Sequence, residues 1–307
     1  MITSIFTNVA LLMIYMMIGF VLCKSRKAEV SHAKSMSSLL IYVLAPSMVI
    51  NSFLQLEYSK ENFQSIIKCF FITLAAQLIF MGIIYAVLHK KYGQAKYRIL
   101  TVGSVLGNVG FIGMPIISSL FPNEPIVLCY SSINILTMNL IVFTMGVFLI
   151  TNDKKYISLK SAVLNPTTIS ILISLPLFFL NIQLPEIASS TIAVFAKMVT
   201  PFCMIILGMR LSSCNLKDLF TRPFVYAAAA LKLMVFPVLM FLAVHRLPML
   251  DGVAKSALII LAMCPSGAVI ESLAELHECE QELAANVVLL STILCVVTIP
   301  LMSFILL

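Results

Sequence analysis

What most limits this chain is a succession of apolar runs, each long enough to cross a lipid bilayer. The first covers Ile2 to Leu22, and nine more follow at about 35–56, 63–88, 98–121, 126–150, 166–184, 187–210, 223–244, 252–275 and 283–305. A spanning helix takes about 20 predominantly apolar residues, so ten spans use roughly two thirds of the chain and leave only short connections. With 61% hydrophobic and 11% charged residues, the composition excludes a soluble globule, and no sizeable domain fits outside the membrane. No basic residue precedes the first run, Lys24, Arg26 and Lys27 follow it, and no small-residue cleavage site ends it. It therefore reads as a retained span rather than a removed leader.

The net charge of +7 comes from 20 basic and 13 acidic residues. In a membrane chain such an excess sets orientation rather than binding nucleic acid. Odd-numbered loops and their flanks hold Lys24, Arg26, Lys27, Lys34, Lys90, Lys91, Lys96, Arg98, Lys154, Lys155, Lys160, Arg210, Lys217 and Arg222, which is fourteen. Even-numbered loops hold Lys60, Lys68, Arg246 and Lys255, which is four. The bias predicts odd loops in the cytoplasm and both termini outside, in a multi-pass protein of the cell (plasma) membrane. Glu275, Glu278, Glu280 and Glu282 make the ninth loop acidic, but acidic residues count little in this rule. Cys23, Cys69, Cys129, Cys203, Cys264 and Cys295 are scattered singly through apolar runs without paired spacing, so they read as small hydrophobes rather than disulfide or zinc positions.

Five spans end near residue 150 and five more follow. Two units with an odd number of spans necessarily sit in opposite orientations across the bilayer. Pro46 and Pro201 lie 155 residues apart, as do Gln77 and Lys232, while Asn134 and Asn286 lie 152 apart. The expected fold is therefore all-α integral membrane, with ten helices in two inverted repeats, 1–150 and 166–307, joined by a linker at 151–165.

The fourth span reads Ser104-Val105-Leu106-Gly107-Asn108-Val109-Gly110-Phe111-Ile112-Gly113-Met114-Pro115. Glycine costs a helix about 1 kcal/mol against alanine, and proline removes a donor and disfavours helical geometry at the residue before it. The helix is expected to unwind here, with Gly110 and Gly113 easing the break and a half-helix restarting near Pro115. Unwound backbone is tolerated at membrane depth only where it faces protein or a water-filled cavity, so its freed groups can serve a solute. The ninth span offers a counterpart in Met263-Cys264-Pro265-Ser266-Gly267-Ala268, with Pro265 suited to a first helical turn. Two half-helix N-termini aimed at one cavity would make an anion site.

The run from Gly107 to Pro115 resembles the signature of the auxin efflux carrier family of transporters. Phe195 to Pro201, continuing to Gly208 and Leu211, is similar to that family's seventh span, and Leu290 to Thr292 with Ile299 to Leu301 is similar to its last. The family includes bacterial permeases for malate, malonate and similar carboxylates, as well as plant auxin carriers. The resemblance implies a ten-helix fold related to bile acid sodium symporters, in which broken fourth and ninth helices cross beside the substrate. By this likeness Asn108 is the crossover asparagine of the substrate pocket, and a homodimer is the expected assembly. Many bacterial members carry a second asparagine four residues after the ninth-span proline, where this chain has Val269.

Two ionisable residues lie inside spans. Glu271 sits about 9 Å of helix beyond Pro265, where an uncompensated charge costs up to about 2.5–3.5 kcal/mol. It is either a proton carrier or counter-ion, or, with Glu275 and Glu278 at i, i+4, i+7 spacing, the wet end of its helix. Lys232 is mid-span and faces the bundle interior, either attracting a carboxylate solute, pairing with Glu271, or bonding carbonyls of a broken helix. Asn134, like Asn51, Gln77, Asn139 and Asn286, either lines the cavity or bonds between helices. The histidines fall at span ends or loops, His277-Glu278-Cys279-Glu280 is not an HExxH zinc motif, and the chain has neither a phosphate-binding GxxxxGK[ST] run nor GxGxxG. The reading is a secondary carrier of a small organic anion, possessing no cofactor or metal and no enzymatic activity. Asn108, Gly110, Gly113, Pro115, Asn134, Lys232, Pro265 and Ser266 are its substrate-site candidates, and Glu271 is its candidate for proton coupling. The alternative is a non-transporting receptor or scaffold on a transporter fold, which the Val269 departure supports and the lack of an output domain opposes.

Overall fold

The computed structural model describes residues 2–213, 219 and 221–307. Lys217, counted above among the loop cations, lies outside them. Among the described residues there is no β-strand, and eight helical stretches are long and apolar enough to cross a membrane. The remaining two apolar runs, the fourth and ninth, are each a pair of shorter helices with a break between them.

In chain order, α1 is Ile2–Lys24, and α2 (His32–Leu39) runs through a wide turn into α3 (Ala45–Leu54). Next come α4 (Lys60–Leu88), α5 (Ala95–Val105) and, after the first break, α6 (Met114–Leu120). Next, α7 (Ile126–Ile141) runs through a wide turn into α8 (Val147–Thr151), and the short α9 (Leu159–Val163) precedes α10 (Pro166–Phe179), which begins anew at Asn165. The long α11 (Glu186–Ser213) precedes α12 (Pro223–Ala230) and α13 (Phe236–His245). The second break separates α14 (Gly252–Ala262) from α15 (Ala268–Leu276), and α16 (Gln281–Leu306) closes the described chain.

Local sequence explains the starts and the irregular turns. Ser59, Asn165 and Asp251 each accept a backbone N–H with the side chain at a helix start, and Pro166 occupies the adjoining first helical position, where its missing donor costs nothing. Three wide, π-type turns stand just before a proline: Leu40–Leu44 before Pro46, Val109–Gly113 before Pro115 and Leu231–Val235 before Pro237. A proline ring collides with the carbonyl one turn back and supplies no N–H. Widening that turn by one residue absorbs both defects without ending the helix.

α1 lies along α11, and glycines set their separation. A Cβ on Gly208 would fall on the Met16 carbonyl, and one on Gly19 would fall on the Ile205 carbonyl. Without a hydrophobic drive between helices in lipid, such close backbone contact is what holds a pair together. α3 packs on α10 and α11, so α1, α3, α10 and α11 form one group. The other group pairs α4 with α7, α5 with α8 and α12, α13 with α14, and α15 with α16. Phe80 of α4 and Phe236 of α13 stack within it, 5.1 Å between centroids and 17° between planes. Each group draws helices from both halves of the chain. Large apolar side chains such as Ile14, Phe71, Ile79 and Phe304 are exposed on the outer faces, as suits a hydrocarbon surround.

Contacts also define the two ends of the bundle. At one end, which we call the basic end, Arg222 pairs with Glu282 at 2.8 Å, and Tyr156 meets His277 with ring centroids 4.5 Å apart. At the opposite end Lys68 donates to the Met249 carbonyl at 3.2 Å, and the Tyr58 N–H donates to the Asn181 side chain at 2.7 Å.

Candidate functional site

The two breaks meet. The Asn108 N–H donates to the Pro265 carbonyl at 2.7 Å, the Gly267 N–H donates to the Leu106 carbonyl at 3.0 Å, and Gly107 and Ser266 form an antiparallel bridge. Each extended link thereby satisfies backbone groups that unwinding freed in the other, which neither could do alone in lipid. The Ser266 hydroxyl donates to the Gly103 carbonyl at 2.7 Å, and the Ser266 N–H donates to the Ser291 hydroxyl at 3.1 Å. Lys232, fully buried, donates from Nζ to the Ala262 carbonyl at 2.7 Å, with the ammonium 4.7 Å from the Phe236 ring centroid. Ala262 is the last residue of α14, so a cation rests against the negative end of that half-helix.

The breaks differ in position from the sequence expectation. Non-helical backbone occupies Leu106 to Asn108, and the helix restarts at Val109, six residues before Pro115. Asn108 accepts the Ile112 and Gly113 N–H groups at its carbonyl, which starts the helix before the proline is reached. Pro115 lies in the second position of α6, where the wide turn accommodates it. Gly113 is inside that turn rather than in the unwound link: a Cβ there would stand 2.8 Å from Cys264 Sγ and from Leu261 Cδ2, so its smallness brings the two broken helices together. Gly110 is similarly tight, with Ile135 Cδ1 at 2.9 Å and Met48 Cε at 3.4 Å from such a Cβ. Pro265 belongs to the extended link, two residues ahead of the Gly267 cap of α15.

A cavity of about 460 Å³ opens beside the crossing and extends toward the basic end. Its wall includes Gly107, Asn108, Gly110, Gly267, Val269 and Arg210. Asn139 and Asn165 line it too, joined by a long 3.4 Å hydrogen bond. A second cavity of about 430 Å³ lies toward the opposite end, bounded by Asn8, Gln55, Pro115, Ser118, Lys197 and Thr200. Met48 borders both cavities. These volumes suit a small molecule.

Asn108 is 4% exposed, and its Nδ2 has no hydrogen-bond partner among the described residues. A buried amide donor without a partner is expensive and calls for an explanation. Asn134 accepts from Gln77 Nε2 at 3.0 Å and borders neither cavity, and Lys232 and Ser266 likewise stand behind the crossing rather than on the cavity wall. Glu271, 4% exposed, sits one turn into α15 with Oε1 2.7 Å from Arg210 Nη1. Glu275 approaches the same nitrogen at 3.7 Å, and Glu278 falls past the end of α15. Lys232 and Glu271 are thus not partners. Arg210 was counted in the sequence only as a loop cation. Its sole sequence signal was a charge in the last turn of an apolar run, and no local spacing links it to Glu271.

A polytopic helical chain with two broken helices crossing beside a cavity has the architecture of a membrane transport protein. Comparison agrees: residues 4–303 match the family model described as membrane transport protein, Mem_trans. The chain is also 26% identical over 289 residues to the uncharacterized transporter MJ1031 of Methanocaldococcus jannaschii, covering 90% of each chain. This chain belongs to the Mem_trans family, that of the auxin efflux carriers, and is a transporter rather than an enzyme.

Proposed function

We propose that this protein is a secondary carrier that moves a small organic anion, a carboxylate, past the crossing of the two broken helices. One observation carries the reading: the Asn108 amide, buried beside the crossing on a cavity wall, has a donor that no described residue uses. A carboxylate oxygen is a natural acceptor for it. The helix starts at Val109 and Ala268 flank the same cavity, and the first turn of a helix favours negative charge. Glu271 is the coupling residue, and protons are the coupling ions.

The two broken runs count as the fourth and ninth of ten spans, and the chain is two inverted five-helix repeats. This is supported by the antiparallel meeting of the corresponding breaks and by the Phe80–Phe236 stack, since an in-plane twofold axis would bring equivalent segments face to face. The basic end faces the cytoplasm, both termini lie outside, and the membrane is the plasma membrane, by the loop-charge bias. Alternating access follows from one helix group shifting against the other, closing one cavity as the other opens.

The test is uptake of labelled malate, malonate and indole-3-acetate into proteoliposomes, with and without an imposed pH gradient, for the wild type and Asn108→Ala. Saturable uptake that responds to the gradient and is lost in the variant is expected. Absence of saturable uptake for all three acids would sink the reading.

A further inference from the structure

Asn108 supplies a neutral hydrogen bond, which leaves the charge of a transported carboxylate unanswered. Lys232, the cation nearest the crossing, is committed to the Ala262 carbonyl behind it. Among the described residues lining the cavity beside Asn108, the charged side chain is Arg210. Its guanidinium offers the planar fork that carboxylates fit, and its side chain is 19% exposed, so it is shielded yet reachable.

Arg210 is occupied by acids of its own chain. Glu271 Oε1 stands 2.7 Å and Glu275 Oε1 3.7 Å from the same nitrogen, while the other Glu271 oxygen is buried with no hydrogen-bond partner among the described residues. Among the described residues, the titratable groups facing Arg210 are Glu271 and Glu275 of α15 and Cys203 of its own helix. Those facing Glu271 are Arg210 and Glu275, and the helices packed on α15, namely α5, α8 and α16, bring it no others. Among the described residues, two carboxylates thus stand against this one cation. A third carboxylate, that of the solute, is repelled while both acids stay ionised.

We propose that Arg210 is the carboxylate-binding cation of the carrier and that Glu271 is its resident stand-in, displaced when a proton neutralises it. This rests on the carrier reading above. One proton from water passes to the Glu271 carboxylate, Arg210 exchanges that partner for the solute carboxylate, and the charge of the site is the same before and after loading. Anion and proton therefore load together. The pair also spans the two helix groups, since Arg210 is on α11 and Glu271 on α15, which packs against α5, α8 and α16. Releasing it frees one group from the other at the basic end, so loading and movement are linked through the same bond.

The experiment measures malonate, malate and indole-3-acetate uptake by the full chain in proteoliposomes at pH 6 and pH 8, with thermal shift in detergent as a binding readout independent of transport. For the wild type, KM rises from pH 6 to pH 8 by up to about 10-fold per pH unit, the limit that one required proton sets. Glu271→Gln fixes KM near its low-pH value at both pH values. The paired Arg210→Gln/Glu271→Gln protein buries no uncompensated charge, so it keeps its fold, and its KM rises at least about 10-fold at both pH values. A wild-type pH dependence in Glu271→Gln, or a wild-type KM in the paired variant, overturns the assignment. If wild-type uptake is saturable and depends on Asn108 while either of those results holds, Arg210 is excluded and the carrier reading stands. No saturable uptake of any of the three acids by the wild type overturns both.

Discussion

Replacing Asn108 with alanine separates function from folding more cleanly than any other change at the crossing. The main-chain bonds at this residue, its N–H to Pro265 and its carbonyl to Ile112 and Gly113, do not involve the side chain. Its backbone at φ −80°, ψ 59° is the inverse γ-turn conformation, which alanine adopts without strain. Because Nδ2 has no partner among the described residues, the substitution breaks no bond through that donor and removes a buried unsatisfied group that costs about 1–3 kcal/mol. The Tm in detergent should therefore stay level or rise. Binding is different: a hydrogen bond to an ionised carboxylate contributes about 1.5–3 kcal/mol. Its loss lowers kcat/KM for uptake by about 10- to 150-fold. The assay is initial-rate uptake of whichever of malate, malonate and indole-3-acetate the wild type carries, alongside thermal unfolding of the same preparations. Wild-type kcat/KM in Asn108→Ala would refute the argument. So would a Tm drop of several degrees that tracks the lost activity, because the side chain would then be part of the fold.

Gly208→Ala should destabilise by about 1–3 kcal/mol, since its Cβ falls on the Met16 carbonyl and α1 must back away from α11, whereas Gly82→Ala, with nothing within 4 Å, should not destabilise; Tm values of the two proteins side by side check the contrast. Met48→Trp places bulk where both cavities end, so uptake should stop while the transported acid still raises Tm, and unimpaired uptake would show that solute passes elsewhere. Lys232→Met removes the donor to the Ala262 carbonyl but nothing from either cavity wall, so KM should be unchanged whatever happens to Tm; a raised KM would make Lys232 a solute ligand.

Local sequence sufficed wherever the physics is local. Hydrocarbon accepts only long apolar helices, so the spans could be read from run lengths, and eight helical stretches of the structure are long and apolar enough to cross a membrane. Gly107, Asn108 and Pro265 marked the interrupted helices because glycine, asparagine and proline weaken a helix in any setting. The details depended on partners distant in sequence. Pro115 looked like the restart of the fourth helix, but the Asn108 carbonyl captures two N–H groups first, and that capture needs Asn108 to be held by Pro265. Lys232 could have met solute, Glu271 or backbone, and only the placement of α14 decides for the Ala262 carbonyl. Asn134 and Asn108 are the same residue type in similarly apolar runs, yet Gln77 donates to the oxygen of one while the other has a donor on the cavity wall that no described residue uses. Arg210 and Glu271 had no common pattern at all, because α11 and α15 are distant in sequence and belong to different packing groups. Membrane insertion and helix breakage are properties of a segment and its solvent, so the sequence alone determined them. Which freed donor or buried charge is left for a solute depends on what every other segment has already satisfied, and the tertiary structure decides that.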